Sequence, residues 1–294
     1  MYLFEFTSIT LRHALNCSKL INYRSSLHDA VRDTVVNINM AQTAGISCVD
    51  QDHQQAFYWF KKAADVGHAG AMNSLGYCYN HDLGAEKDYQ QGFYWYSKAA
   101  EAGFSVAMFN LGNCYIDGKA FYWFKKAADA GHAGAMNSLG CCYENGHGVE
   151  KDYQQAFYWY SKAAEAGISV AMFNLGVCYR DGQGVDQDHQ QAFYWFKKGA
   201  DAGNANTMCS LGYCYNQGLG VEQDYSQAVF YYQKAAELGN KYGIFNLGVC
   251  YEDGYGVPKN GRQAIKWYEK AKNAGDEDAA DRIEDCKRQL ARRS

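Results

Sequence analysis

One aromatic position returns through most of the chain. Trp59, Trp95, Trp123, Trp159, Trp195, Tyr231 and Trp267 are separated by 36, 28, 36, 36, 36 and 36 residues. A fixed period of this length marks an array of supersecondary units, each unable to bury its own apolar face and each completed by stacking on its neighbours. The one short interval lies at CYIDGKAFYWF (114–124), which matches CYRDGQGVDQDHQQAFYWF (178–196) after the loss of eight residues. A longer period is superimposed, because FYWFKKAADAGHAGAMNSLG (121–140) alternates with FYWYSKAAEAGISVAMFNLG (157–176). The duplicated unit was therefore a pair of repeats.

Each copy encodes two helices. In the first, AMFNLGVCYRDG (171–182), Leu175, Cys178 and Tyr179 share a face about 100° wide. In the second, DHQQAFYWFKKGADAG (188–203), the shared face holds Ala192, Trp195, Phe196 and Gly199, with Ala at the last position in most other copies. Small residues at both ends of that stripe allow close helix approach, and the Trp fills the gap between layers. The second helix opens with Asp-x-x-Gln at Asp52, Asp88, Asp152, Asp188 and Asp224, and with Asn260 in the last copy. That spacing predicts a capping box, the acid accepting an amide and the Gln side chain reaching back. A glycine follows each second helix, at Gly67, Gly103, Gly131, Gly167, Gly203, Gly239 and Gly275, as a left-handed C-cap requires. Pro258 is the only proline, while 25 Tyr, 15 Phe and 6 Trp supply core, so nothing interrupts an all-helical chain.

Ala171, Leu175, Gly176, Tyr179, Gly182, Gly184, Val185, Asp188, Ala192, Trp195, Lys198 and Ala200 form a pattern that resembles the Sel1-like repeat family, relatives of the tetratricopeptide repeats. It recurs from about residue 49 to 275. The resemblance implies an all-α, right-handed superhelical solenoid of antiparallel helix pairs, acting as a scaffold or adaptor that holds other proteins. The expected organisation is a helical or disordered leader at 1–30, a solenoid of about seven repeats at 31–275 with one shortened at 114–124, and a capping helix at 276–294. A decayed first helix is expected around Val35. In the short repeat the buried aromatics survive, so the loss predicts a tight joint at Asp117–Lys119. It also predicts a second helix shortened by about one turn and lacking its cap.

Cys78, Cys114, Cys142, Cys178, Cys214, Cys250 and Cys286 recur at one position of the first helix. Helices in neighbouring repeats pack about 8–10 Å apart, whereas a disulfide needs Cα atoms nearer than about 7 Å. The ladder is thus read as small buried apolar residues, and the compartment as reducing, cytoplasm first, with secretion or the ER lumen left open. Cys17, Cys48, Cys141 and Cys209 stand outside the ladder. No His-x-x-x-His or Cys-x-x-Cys occurs, so no metal or other cofactor is expected. Gly-x-Gly lies between two helices and reads as a turn, not a phosphate cradle. No nucleophile sits at recognisable spacing from a base, so no enzyme is expected. The net charge of −4 points away from nucleic acid, and no apolar run is long enough to span a membrane.

By analogy with the tetratricopeptide fold, the first helices line the inner face, where a protein or peptide partner would bind. The residues expected there are Asn73, Tyr77, Phe109, Asn137, Phe173, Arg180, Tyr213, Phe245 and Glu252. For the phenylalanines two uses stay open, exposed anchors for a partner or packing against neighbouring helices. On the outer face Tyr58, Tyr94, Tyr122, Tyr158 and Tyr194 are expected to lie along lysine stems. Two other functions are kept beside the scaffold: a cysteine-rich relative with β-lactam-hydrolase-type activity, and a self-assembling array. The scaffold is expected to be a monomer.

Overall fold

The computed structural model describes residues 49–115 and 118–292, which form fourteen α-helices and no strand. The expected leader, the decayed helix near Val35, Cys17, Cys48 and Asp117 lie outside the described residues. Two compact units divide the chain, residues 1–130 and 131–294. In the first, α1 (Val49–Asp65), α2 (Ala69–His81), α3 (Tyr89–Glu101), α4 (Ser105–Cys114) and α5 (Gly118–Asp129) pack each on the next. The second holds α6 (Ala133–Asn145), α7 (Tyr153–Glu165), α8 (Ser169–Asp181), α9 (His189–Asp201), α10 (Ala205–Gln217), α11 (Tyr225–Glu237), α12 (Lys241–Asp253), α13 (Gly261–Asn273) and α14 (Ala279–Ala291). Both units are stacks of helix pairs in which even-numbered helices are the first and odd-numbered the second of each repeat.

The residue that locks a pair together is the one after the recurrent Trp. Tyr160, Phe196 and Tyr268 are fully buried, and each ring lies on the glycine of the Leu-Gly step in its own first helix. A Cβ at Gly176 would stand 2.5 Å from the Phe196 ring, so only glycine lets the helices close to this distance. The Trp itself is half-buried and reaches the preceding repeat. Trp195 packs on the Ala156–Cys178 cluster, and Trp95 on the Ala56–Cys78 cluster. Tyr179 of the first helix also reaches the preceding repeat, meeting Phe157 edge-on at 5.3 Å between centroids. One aromatic thus closes a repeat while others join it to the next.

Helix termini follow the sequence in part. Asp188 accepts from the amides of Gln190 and Gln191 at 2.9 and 3.0 Å, and Asp88, Asp152 and Asp224 repeat this. The reciprocal half of the capping box is replaced, because the Asp188 N–H donates to the Tyr179 carbonyl at 2.8 Å. The same bond recurs from Asp88 to Tyr79, Asp152 to Tyr143 and Asp224 to Tyr215. With that donor already satisfied by the first helix, Gln at the third position has no amide to reach back to. Asp52 is a different correction, since α1 begins at Val49 and runs through it. The histidines at 68 and 132 prove to be caps as well, their Nδ1 accepting from Ala71 and Ala135 at 3.1 and 3.0 Å.

The turn inside each full-length repeat depends on two left-handed positions, both glycine except at Asp82 (φ 59°). Gly182 (φ 69°) ends α8, and Gly184 (φ 74°) lies where a Cβ would be 2.0 Å from the Tyr153 carbonyl oxygen of the preceding repeat. In the shortened repeat the loss falls mostly on the connecting turn, 3 residues at 115–117 against 7 at 182–188, and on the end of the first helix, with little taken from the second. Helix α4 has 10 residues against 13 in α8, whereas α5 keeps 12 against 13 in α9. The expected one-turn shortening of the second helix is therefore wrong. Phe124 and the Ala127–Ala128 step are core residues and hold α5 in register, while the end of α4 carried only the turn that was lost.

The ladder cysteines behave as buried apolar residues at 78, 142, 178, 214, 250 and 286, and none of the described cysteines forms a disulfide. Burial pushes the Cys178 and Cys250 thiols up to about 12. Cys114 is the exception and is exposed, because α4 ends there and the covering turn is missing. At the C-terminal end Ala279, Ile283 and Cys286 of α14 are buried against the last repeat.

Candidate functional site

The face built from the first helices begins with their N-terminal halves, where amides bridge neighbouring repeats. Asn110 donates to Asn73 at 2.9 Å in the first unit, and Asn174 to Asn137 at 3.0 Å in the second. Two of the expected partner-binding residues are therefore half-buried rungs between helices. At the equivalent rung between α10 and α12 the acceptor is Cys209, and Asn246 reaches only its Sγ at 3.7 Å. Thiol sulfur is a weak acceptor, so the Asn246 amide is held more weakly than those of Asn110 and Asn174.

Beside that weakened rung lies a cavity of about 450 Å³ between α8, α10 and α12, lined by both Cys209 and Asn246. Phe173, Phe196 and Cys209 form its apolar wall, and burial pushes the Cys209 thiol up to about 11. Its polar rim includes Arg180, Tyr213, Tyr242 and the Asn246 amide. Tyr213 and Tyr242 are exposed, at 43% and 57%. Arg180 is half-buried and makes a bidentate pair with Asp181, Nε and Nη2 each donating at 2.7 Å. This pair holds the Asp181 carboxyl below the usual carboxylate range.

Three expected site residues meet at this cavity: Phe173, Arg180 and Tyr213. Tyr77 is exposed at the matching place in the first unit, its ring 4.1 Å from that of His81. For the phenylalanines the structure favours packing. Phe109, Phe173 and Phe245 are half-buried, with centroids 5.9, 6.2 and 5.2 Å from Phe124, Phe196 and Tyr268. Phe173 also lines the cavity. Glu252 does not belong to a binding face: it is 6% exposed, accepts from Tyr268 Oη at 2.7 Å and pairs with Arg282 of α14 at 2.9 Å. At 144 the same position again carries Glu beneath a Tyr, the Tyr160 Oη donating at 2.6 Å. A Glu there is a partner for the buried phenol, whereas Arg180 lies opposite Phe196, which offers no hydroxyl.

Sequence reading missed Asn206, Tyr242 and Asn246. The departure of Cys209 from the Asn seen at 73 and 137 was the available signal. On the outer face the expectation holds, with Lys126 and Lys198 4.9 Å from the Tyr122 and Tyr194 centroids and Lys62, Lys98 and Lys162 within 5.9 Å of theirs. Among the described residues no group of His, Cys, Asp or Glu is placed to hold a metal ion, and no helix is long and apolar enough to cross a membrane.

The family model described as Sel1 repeat matches residues 37–68, 69–104, 105–132, 133–168, 169–204, 205–240 and 241–276. Among solved structures, a Sel1 repeat protein from Oxalobacter formigenes is 31% identical over 81% of this chain and 96% of its own, with a TM-score of 0.72. A protective antigen of uropathogenic Escherichia coli with an SLR fold is 32% identical over 87% of this chain, with a TM-score of 0.71. The chain spans 57% of that antigen's length. No curated protein sequence matches significantly.

Proposed function

The chain belongs to the Sel1 repeat family, whose members generally act as protein-interaction scaffolds, and on that premise we propose that it holds a protein or peptide partner on the face lined by its first helices. The observation that carries this reading is the cavity between α8, α10 and α12. Its volume of about 450 Å³ lies within the range of about 300–1,000 Å³ usual for binding clefts. Apolar wall, amide rim and exposed tyrosines suit an extended peptide that anchors one side chain and hydrogen-bonds through its backbone. The buried, unpaired ladder cysteines support a reducing compartment such as the cytoplasm. We read the protein as a monomeric, non-catalytic adaptor that binds neither nucleic acid nor cofactor.

Affinity capture with the full chain, followed by mass spectrometry, tests the reading. Phe173→Ala, verified as folded by circular dichroism, should lose partners that the parent recovers, while Tyr94→Ala on the outer face should keep them. Identical recovery by parent and Phe173→Ala would show that this face is not the binding surface.

A further inference from the structure

We infer that the cavity between α8, α10 and α12 selects a peptide in which an aromatic side chain is accompanied by a carboxylate two positions away. The inference rests on the scaffold reading and specifies its partner. Two departures from the repeat pattern coincide here. The first is Cys209, which stands where Asn73 and Asn137 complete the amide rung in other repeats. Its weakly accepting side chain lines the cavity and holds the Asn246 amide weakly, at 3.7 Å to sulfur, so an amide donor is ready for a peptide carbonyl. The second is Arg180. Equivalent positions on the other first helices carry Asn80, Glu144, Asn216 and Glu252, so this cation is peculiar to the repeat that walls the cavity.

Charge and shape then define the occupant. The half-buried Phe173, backed by the fully buried Phe196, accepts a ring in tilted or edge-on contact. Arg180 spends two N–H donors on Asp181, and its remaining N–H groups suit a second carboxylate. The Arg180–Asp181 pair is partly exposed and therefore cheap to rearrange. In an extended peptide, side chains two residues apart project on the same side, about 6.5–7 Å from one another. A ring in the cavity thus places a neighbouring acidic side chain toward the rim that carries Arg180. A lysine at that place would meet the guanidinium and be rejected.

The test is fluorescence anisotropy of the full chain with a fluorescein-labelled Gly/Ser peptide whose core is Asp-Ser-Phe-Ser-Asp. Saturable binding at or below about 1 mM is expected for one anchored side chain. Replacing Phe by Ala in the peptide should weaken binding at least about tenfold. Replacing both Asp by Asn should weaken it about three- to tenfold. Arg180→Gln should abolish the preference for Asp over Asn while leaving that for Phe over Ala. Cys209→Asn should remove binding without loss of thermal stability, because the fold already accommodates Asn at 73 and 137. No preference for Phe over Ala, or an Asp preference that survives Arg180→Gln, overturns the assignment. If lysate partners depend on Phe173 but are indifferent to Cys209→Asn and Arg180→Gln, the scaffold reading stands and this cavity is not its anchor.

Discussion

The seam between α9 and α10 offers a direct test of how the repeats are fitted together. Elsewhere the corresponding pair is commonly alanine on alanine, as in Ala63 and Ala71, Ala99 and Ala107, Ala163 and Ala171, and Ala271 and Ala279, all essentially inaccessible. Here the pair is Gly199 and Thr207, as though volume had moved from one helix to the other. A Cβ added at Gly199 would lie 2.6 Å from Thr207 Cγ2 and 3.1 Å from its Cβ and Oγ1. Overpacking of this kind costs about 1–3 kcal/mol, partly offset by about 1 kcal/mol of helix propensity gained over glycine. Gly199→Ala should therefore destabilise by roughly 1 kcal/mol. Thr207→Ala removes a buried methyl group and the Oγ1 hydrogen bond to the Asn204 carbonyl at 2.7 Å. After a small propensity gain, a loss of about 1–1.5 kcal/mol is expected. The double variant restores the Ala–Ala seam and should lie near the parent. The two substitutions would then couple by about 2 kcal/mol. Urea unfolding followed by far-UV circular dichroism measures the cycle, with hydrogen exchange in α9 and α10 as the local check, since long arrays need not unfold in one step. Additivity within about 0.5 kcal/mol would mean that the seam relaxes freely and that the matched volumes do not matter.

Other perturbations follow from the same geometry. Asp188→Ala removes an oxygen that serves two amides and should lower stability by about 1 kcal/mol, with Asp188→Asn close to neutral. An equal loss in both variants would show that charge, not capping, matters. Gly184→Ala must hold φ 74° with a Cβ 2.0 Å from the Tyr153 carbonyl oxygen. A loss above about 2 kcal/mol is expected, with faster hydrogen exchange at the start of α7; unchanged exchange there would refute the contact. The buried thiols give a pH dependence. Burial raises Cys178 and Cys250 to about 12 and Cys78, Cys142 and Cys214 to about 11, whereas an unfolded chain releases these protons near pH 8.5 or so. Raised folded values mean stability is complete below the unfolded pKa and declines as pH climbs toward 11–12, so the urea midpoint should fall between about pH 8 and 10.5. A flat profile over that window would show that the thiols are not buried as the ladder implies.

The repeat period alone determined a large part of this protein. Two helices per copy, the aspartate caps, the glycine stops and the apolar role of the cysteine ladder all arise from interactions within one repeat or its immediate turn. Such interactions recur at constant spacing and so leave a periodic mark in the chain. What the tertiary structure decided lies in contacts between helices. It placed the aromatic after the Trp, rather than the Trp, at the centre of each pair, and gave the capping aspartate's own N–H to a tyrosine carbonyl of the first helix. It also took the eight-residue loss from the turn and the end of α4 and left α5 almost whole, because Phe124 and its alanines were held by neighbours that a linear pattern does not show. The same holds for the candidate site. Phe173, Arg180 and Tyr213 were legible as residues of the first-helix face, but Glu252 looked identical to them in spacing and is instead bound to Tyr268 and Arg282. The cavity is lined at one rung by Cys209 against Asn246, residues 37 apart on different helices. A single departure from the repeat carries little weight in a sequence, yet across a packed seam it weakens a hydrogen bond beside a cavity.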